Sequence, residues 1–414
     1  MTPRALRAAR PGPSVGPMSP TQTSPTARRT ATRTHLFTES VIREMTRVAR
    51  EHGAVNLAQG FPDFPCPDVL KEAAREAVSA DVNQYAITWG APRMRRALEG
   101  AYARWYGIEI EGDRELTVVC GATEAMAAVM LALIDPGDEI VVMEPFYENY
   151  GPDAVLCGAR PVFVPLEAPD FRLDPERLRA AITPKTRAII VNTPNNPTGR
   201  VLDAAEREAI ADACREHDLI AVTDEIYEHI LYEGEHVPLS TLPGMRERTV
   251  TVSGASKTFS VTGWRVGWVV APPDLTAAIR KVHDFLTVGA PAPLQEGVAA
   301  ALETLGAAYY AGLSTEYRVR RDRLLPALRA AGFDCVAPQG AYYVMADFAR
   351  LAREDDKAFA RTLAREAGVA AVPGSSFFSA PGGGSTLLRF AFCKRMETLD
   401  DAADRLLRFA SAGG

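Results

Sequence analysis

Four places in the chain put reactive or polar side chains directly after a short run of aliphatic and β-branched residues. Residues 249–252 lead into Ser253-Gly254-Ala255-Ser256-Lys257-Thr258-Phe259, and Gly263-Trp264-Arg265-Val266-Gly267 follows. The small residues before Lys257 let another molecule approach its amine closely. Residues 219–223 lead into Asp224-Glu225-Ile226-Tyr227, which sets a carboxylate at the end of the run. Residues 188–192 lead into Asn192-Thr193-Pro194-Asn195-Asn196-Pro197-Thr198-Gly199, a loop stiffened by two prolines and rich in amide donors. Residues 116–120 lead into Gly121-Ala122-Thr123 and then a helical stretch. Backbone N–H groups at such a helix start suit a phosphate. Taken singly, each place has a plain structural reading as a tight turn, a stiff loop or a solvated charge.

These side chains need a scaffold that gathers strand ends. Seven short apolar runs, at 116–120, 139–143, 161–164, 188–192, 219–223, 249–252 and 266–270, read as buried strands. Helical stretches such as 124–133 and 203–217 lie between several of them. Strands alternating with helices predict an α/β fold with a mostly parallel sheet covered on both faces. The link between the last two runs is too short for a crossover helix, so one strand there is expected to be antiparallel. After about residue 290 long Ala/Leu/Arg helices take over, with short strands near 342–345 and 387–392, which predicts a second, α+β domain. In an open α/β sheet ligands bind beyond the carboxyl ends of the strands. All four places lie there.

Composition narrows the field. The 414 residues, 47% hydrophobic and 24% charged, suffice for one large or two medium domains with a sizeable core. A net charge of −6 gives no global pull toward nucleic acid or an anionic membrane. The longest apolar run, about ten residues at 125–134, is half of what a spanning helix needs. Six scattered cysteines without a CxxC pair read as reduced thiols of a cytoplasmic protein. Six scattered histidines without an HExxH motif give no reason to expect a metal. Residues 1–34 hold six arginines, six prolines and no acid, and are expected to be disordered. They read as a tail or as sequence upstream of a start at Met18, with a transit peptide and a basic nucleic-acid arm as competing readings. Without them 40 basic residues face 52 acidic ones, leaving the body at −12.

The motifs together, NNPTG, DExY and SKTFSxTGWRxG in this order, resemble the class I/II aminotransferases, pyridoxal-phosphate enzymes of fold type I. The resemblance covers about residues 36–410. Asn56-Leu57-Ala58-Gln59-Gly60-Phe61-Pro62-Asp63-Phe64 and Asn83-Gln84-Tyr85 are similar to the kynurenine/glutamine and methionine transaminase branch. The resemblance implies a large domain, residues 76–290, on a mostly parallel seven-stranded sheet, and a smaller α+β domain of residues 35–75 and 291–414. It also implies a closing lid near residues 37–60. It makes Lys257 the Schiff-base partner of pyridoxal 5'-phosphate and, once released, the base that moves the proton from Cα. Asp224 is implied against the pyridine nitrogen, Tyr227 and Asn196 at the phenolic oxygen, and Tyr147 stacked on the ring. Arg265 and the backbone of Gly121 and Ala122 are implied at the phosphate, with Thr123 and Ser256 beside them. Tyr85 matches a tyrosine that reaches the neighbouring subunit's phosphate, which implies a homodimer with shared active sites. Arg389 is implied at the substrate α-carboxylate, helped by Asn196 and the backbone of Gly60.

The chain departs from the family in places. Gly254 stands where a phosphate-contacting hydroxyl is common, and Ser253 or Ser256 is the candidate replacement. Thr123 stands where some aspartate-type relatives have a lysine. The stretch Thr287-Val288-Gly289-Ala290-Pro291-Ala292-Pro293 supplies no arginine, and Ile42 replaces a tryptophan of the kynurenine type. A neutral or apolar L-amino acid is therefore the expected donor, with a 2-oxo acid as acceptor. A lyase, a cyclase or an oxidase on the same fold remains the alternative, because these reactions diverge only after a shared carbanion. A ligand sensor without catalysis would need a DNA-binding domain, and residues 1–34 are too short and Pro-rich for one.

Overall fold

The computed structural model describes residues 29–412. Its central sheet has seven strands: β1 (Leu116–Val119), β2 (Glu139–Glu144), β3 (Arg160–Pro165), β4 (Thr186–Asn192), β5 (Ile220–Asp224), β6 (Thr249–Gly254) and β7 (Gly267–Val270). Their spatial order is β1-β7-β6-β5-β4-β2-β3. Only β7 breaks the parallel pattern, running against both β1 and β6. The link from β6 to β7 contains just two single turns, Ala255–Thr258 and Thr262–Trp264, too little for a crossover.

Every residue of β1, β2, β5, β6 and β7 is buried, so these strands read as continuous apolar runs rather than alternating ones. Helix α1 (Ala122–Leu133), helix α2 (Ala204–Glu216) and helix α3 (Pro273–Thr287) explain why. Ala125 and Val129 of α1 and Ile279 of α3 pack with Ile140, Val222 and Val269 on one face. Ile210 and Cys214 of α2 pack with Val141, Ile189 and Ala221 on the other. Helix α2 starts at a capping box in which the Asp203 side chain accepts from the Glu206 N–H and Glu206 accepts from the Asp203 N–H.

A second, antiparallel sheet holds β8 (Asp334–Cys335), β9 (Tyr343–Asp347), β10 (Val372–Pro373) and β11 (Leu387–Ala391) in the order β10-β11-β9-β8. A parallel pair, Val55–Asn56 with Val369–Ala370, ties the segment after the first long helix to this region. The two-residue strands are too short to leave a periodic signal in the sequence. Among the described residues no helix is long and apolar enough to cross a membrane.

The described residues up to Thr38 form a unit apart from the body that begins at Glu39. Most of the segment expected to be disordered, residues 1–28, lies outside the described residues. Its last part is not irregular throughout: Thr32–His35 forms one 3-10 turn. There the Thr34 hydroxyl donates to the Ala31 carbonyl at 2.8 Å.

Candidate active site

Strand register assembles the first half of the site. Asn192 of β4 pairs with Asp224 of β5, and Asp224 pairs with Val252 of β6, so three strand ends finish side by side. The buried Asp224 carboxylate accepts from the Tyr150 hydroxyl at 2.7 Å. Asn192 Nδ2 donates to the Asp224 carbonyl at 2.8 Å, and Asn192 Oδ1 accepts from the Asn196 N–H at 2.7 Å. Burial raises the Asp224 pKa, while the Tyr150 hydroxyl and the Ile226 N–H oppose the rise. Tyr227 follows on the same turn, its hydroxyl 3.0 Å from that of Tyr343. Asn195 turns inward instead, holding the Thr198 hydroxyl at 2.8 Å. Its role is to shape the loop, whose prolines both follow cis bonds.

Lys257 lies in the single helical turn just past β6. Its Nζ donates to the Gly60 carbonyl at 3.2 Å and stands 5.9 and 5.8 Å from the ring centroids of Tyr227 and Tyr342. Burial pulls the amine down to about 8, which brings its neutral, nucleophilic form close to neutral pH.

The turn into α1 makes an anion cradle. Gly121 caps the helix at φ 82°, a conformation that favours glycine. Arg265 lays its guanidinium on that glycine: a Cβ at position 121 would fall 2.5 Å from Nη2. Gly267 makes room from below, since a Cβ there would stand 2.7 Å from the Gly121 carbonyl carbon. One expected donor needs correction. The Gly121 N–H bonds to the Val119 carbonyl at 2.8 Å, which leaves the first-turn amides of Ala122 and Thr123, without intrahelical partners, as the candidates. Ser256 is buried in the neighbouring turn. The Ser253 hydroxyl donates to Glu228 at 2.6 Å and does not replace the hydroxyl missing at Gly254. A Cβ at 254 would already sit 3.0 Å from the Gly267 Cα, which explains the small residue.

The second half of the site comes from the small antiparallel sheet. Arg389 of β11 is fully buried, its guanidinium 4.3 Å from the Tyr343 ring and 4.8 Å from the Phe377 ring. Nη1 donates to Asn196 Oδ1 at 2.8 Å and Nη2 to the Ala58 carbonyl at 2.7 Å. Nε is buried without a hydrogen-bond partner. Such a donor fits a ligand carboxylate. Gly60 carries no side chain because Tyr343 fills the space: a Cβ would meet its hydroxyl at 2.0 Å. The Gly60 carbonyl also accepts from the Tyr342 hydroxyl at 2.9 Å. A continuous path of hydrogen bonds therefore runs from Arg389 through Asn196 and Asn192 to Asp224 and Tyr150.

Tyr147 is half-buried, its ring 5.8 Å from that of Tyr150. Tyr85 is 85% exposed on the loop after the second long helix. The sequence reading missed Tyr150, Tyr343, Tyr342 and Phe377. Tyr150 was within reach, since it stands three residues after Tyr147 at the start of the next helix. It also missed a buried cluster behind the site, where Glu225, Glu228 and His236 offer oxygen and nitrogen atoms within 4.8 Å of one another. Those atoms are engaged internally: His236 with Glu225 at 2.8 Å, and Glu228 with Ser253 and Tyr106. Burial pushes Glu228 up to about 7.

Pyridoxal 5'-phosphate carries an aldehyde, a ring nitrogen and a phosphate. The cleft offers an amine at Lys257, a carboxylate at Asp224 and a cradle at Gly121 and Arg265, so the residues present fit the group. The fold and the chemistry are those of a fold type I pyridoxal-phosphate enzyme. Within that class the chain belongs to the aminotransferases of class I and II, whose family model matches residues 52–406. It is 42% identical to a probable N-succinyldiaminopimelate aminotransferase, DapC, of Mycobacterium tuberculosis, over 91% of this chain and 98% of that one. The solved structure of that mycobacterial enzyme superposes with a TM-score of 0.89 at 42% identity, covering 92% of this chain and all of the other. The methionine aminotransferase of Escherichia coli is 37% identical over 89% of this chain and 95% of its own. Human kynurenine–oxoglutarate transaminase 1 is 35% identical over 88% and 94%. The protein is a pyridoxal-phosphate-dependent aminotransferase.

Proposed function

We propose that the chain moves the amino group of a neutral or apolar L-amino acid to a 2-oxo acid, with the substrate α-carboxylate on Arg389. The observation that supports this most is the Arg389 Nε, buried without a partner in a cleft that also holds Lys257. Pyridoxal 5'-phosphate, joined to Lys257 until substrate displaces it, would supply the electron sink for the charge left at Cα. The residues do the rest. Lys257 Nζ would take the proton from the substrate Cα and deliver it to the carbon that carried the cofactor's aldehyde. Asp224 would pair with the ring nitrogen and keep it protonated. Tyr227 and Asn196 would hydrogen-bond the phenolic oxygen, and Tyr147 would lie against the ring. Arg265, Ala122, Thr123 and Ser256 hold the phosphate.

We assign residues 76–290 to the cofactor-bearing domain and residues 35–75 with 291–414 to the domain that brings the carboxylate site. The stretch 287–293 supports an apolar side-chain pocket, with Ala290 buried and no cation in it. The assembly is a homodimer in which Tyr85 completes the neighbour's phosphate site. Support comes from the exposure of Tyr85 at 85%, Phe285 at 91% and Val288 at 44%, large apolar groups that ask for cover. Six free thiols suit the cytoplasm.

The deciding experiment mixes the holoenzyme with single L-amino acids, without an acceptor, and follows the absorbance of the cofactor. One equivalent of 2-oxo acid per active site, with conversion to the pyridoxamine form, supports transamination. Ammonia released beyond one equivalent rejects it. A higher specificity constant for aspartate or N-succinyldiaminopimelate than for methionine, glutamine, alanine and phenylalanine rejects the neutral donor.

A further inference from the structure

Helix α1 carries an acid in its first turn, Glu124. A carboxylate there ordinarily stabilises a helix start. Beside a phosphate dianion it is also a like charge that weakens the anion's hold. The structure surrounds it with donors. Glu124 Oε2 accepts from the Cys120 N–H at 3.0 Å, and Oε1 faces His283 Nδ1 at 3.0 Å. The other ring nitrogen, Nε2, faces the Thr88 carbonyl at 2.9 Å. His283 is fully buried on α3. A carbonyl only accepts, so Nε2 carries a proton. An ionised carboxylate only accepts too, so one further proton is shared between Nδ1 and Glu124. With that proton the pair is neutral; without it the pair is an anion at the mouth of the cradle.

The remaining groups around the pair are few. Thr287 Oγ1 lies 3.3 Å from Nδ1. Asp284 is the next residue on α3 and accepts from the Thr88 hydroxyl at 3.2 Å. Cys120 and Arg265 stand at the β1–α1 turn, and Arg280, a turn earlier on α3, lies over the Trp89 ring at 4.9 Å. Of these cations, Arg265 is the one already committed to the cradle.

We infer that His283 is a positioning residue for the cofactor, a buried counter-ion that neutralises Glu124 so that the amino end of α1 can hold a phosphate dianion. The inference rests on reading the Gly121–Arg265 cradle as the phosphate site. Burial by itself would lower His283, but the hydrogen bond and charge of Glu124 and the Thr88 carbonyl outweigh it and raise its pKa. The pair is thus neutral below that raised value and becomes anionic as pH climbs through it.

Equilibrium dialysis of the full-length chain against pyridoxamine 5'-phosphate tests this, because that molecule cannot bond covalently to Lys257. His283→Gln should weaken binding about tenfold. Glu124→Gln should bind as well as wild type or better, and the double variant should return to within about twofold of Glu124→Gln. The wild-type dissociation constant should rise at alkaline pH more than that of Glu124→Gln. A double variant as weak as His283→Gln, or a Glu124→Gln variant weakened tenfold, would show that the pair is only structural. If Arg265→Gln binds normally, the phosphate reading itself has failed. If Arg265→Gln is weakened while His283→Gln is not, the counter-ion role has failed. Should His283→Gln not fold, the affinity of Glu124→Gln and the two pH profiles still decide.

Discussion

The two halves of the cleft satisfy their polar groups differently. At the ends of β4, β5 and β6, Asn192, Asp224, Tyr150, Ser253 and Glu228 bond to one another and to backbone. On the side of the small sheet, Arg389 is clamped between two rings yet keeps one N–H without a partner. An unmet buried donor costs about 1–3 kcal/mol. It is tolerable where a ligand comes and goes and restores the bond. The sheet ends suit a resident molecule that needs fixed geometry; the opposite wall suits one that must be exchanged every cycle. Preorganisation is thus concentrated where the chemistry stays constant.

That contrast can be broken in graded steps. Lys257→Ala should cost the most, a loss of turnover of about 10⁴-fold or more with the cofactor still bound. Turnover within tenfold of wild type, in a single-turnover assay, would remove Lys257 from its role. Asp224→Ala should lower turnover by roughly 10³-fold with the fold intact by circular dichroism; a normal rate would mean that another group serves the ring nitrogen. Arg389→Lys acts on the other wall. It should raise KM for the amino donor about 100-fold while leaving the cofactor spectrum unchanged. A change in kcat alone would put Arg389 among the fixed groups and blur the distinction between the walls. Tyr150→Phe, which deletes one bond to Asp224, should cost only about tenfold in kcat. Finest is the pH dependence of cofactor attachment to the cofactor-free enzyme. Attack needs the neutral Lys257 amine, which predominates above its depressed pKa, so the rate should rise with pH and level off above about 8. A plateau reached only near the ordinary lysine value would show that burial does not tune the amine.

Much of the first wall was legible in the sequence, and little of the second. Lys257, Asp224 and Asn196 stand a fixed step beyond apolar runs, and parallel register turns that step into proximity. The antiparallel β7 followed from the short link after β6. Arg389 was singled out by family position, but its setting was not legible, because Tyr343 and Phe377 reach it from separate segments and leave no local pattern. The Gly121 amide was misassigned for a related reason. A sequence gives the residues of a turn but not which N–H the turn itself consumes. Gly254 looked like a gap in phosphate recognition until the approach of Gly267 showed that the space there is already filled.

If Lys257 has the role proposed above, its contact with the Gly60 carbonyl has a consequence for the turnover cycle. A lysine released from its bond could sample a wide volume through its four-carbon arm. Here a carbonyl and two aromatic faces hold the amine in a small region of the cleft. Its effective concentration there stays far above anything a dissolved base could reach. On the role proposed for Lys257, a proton taken from one carbon would be delivered to the other by the same nitrogen before it is traded with solvent.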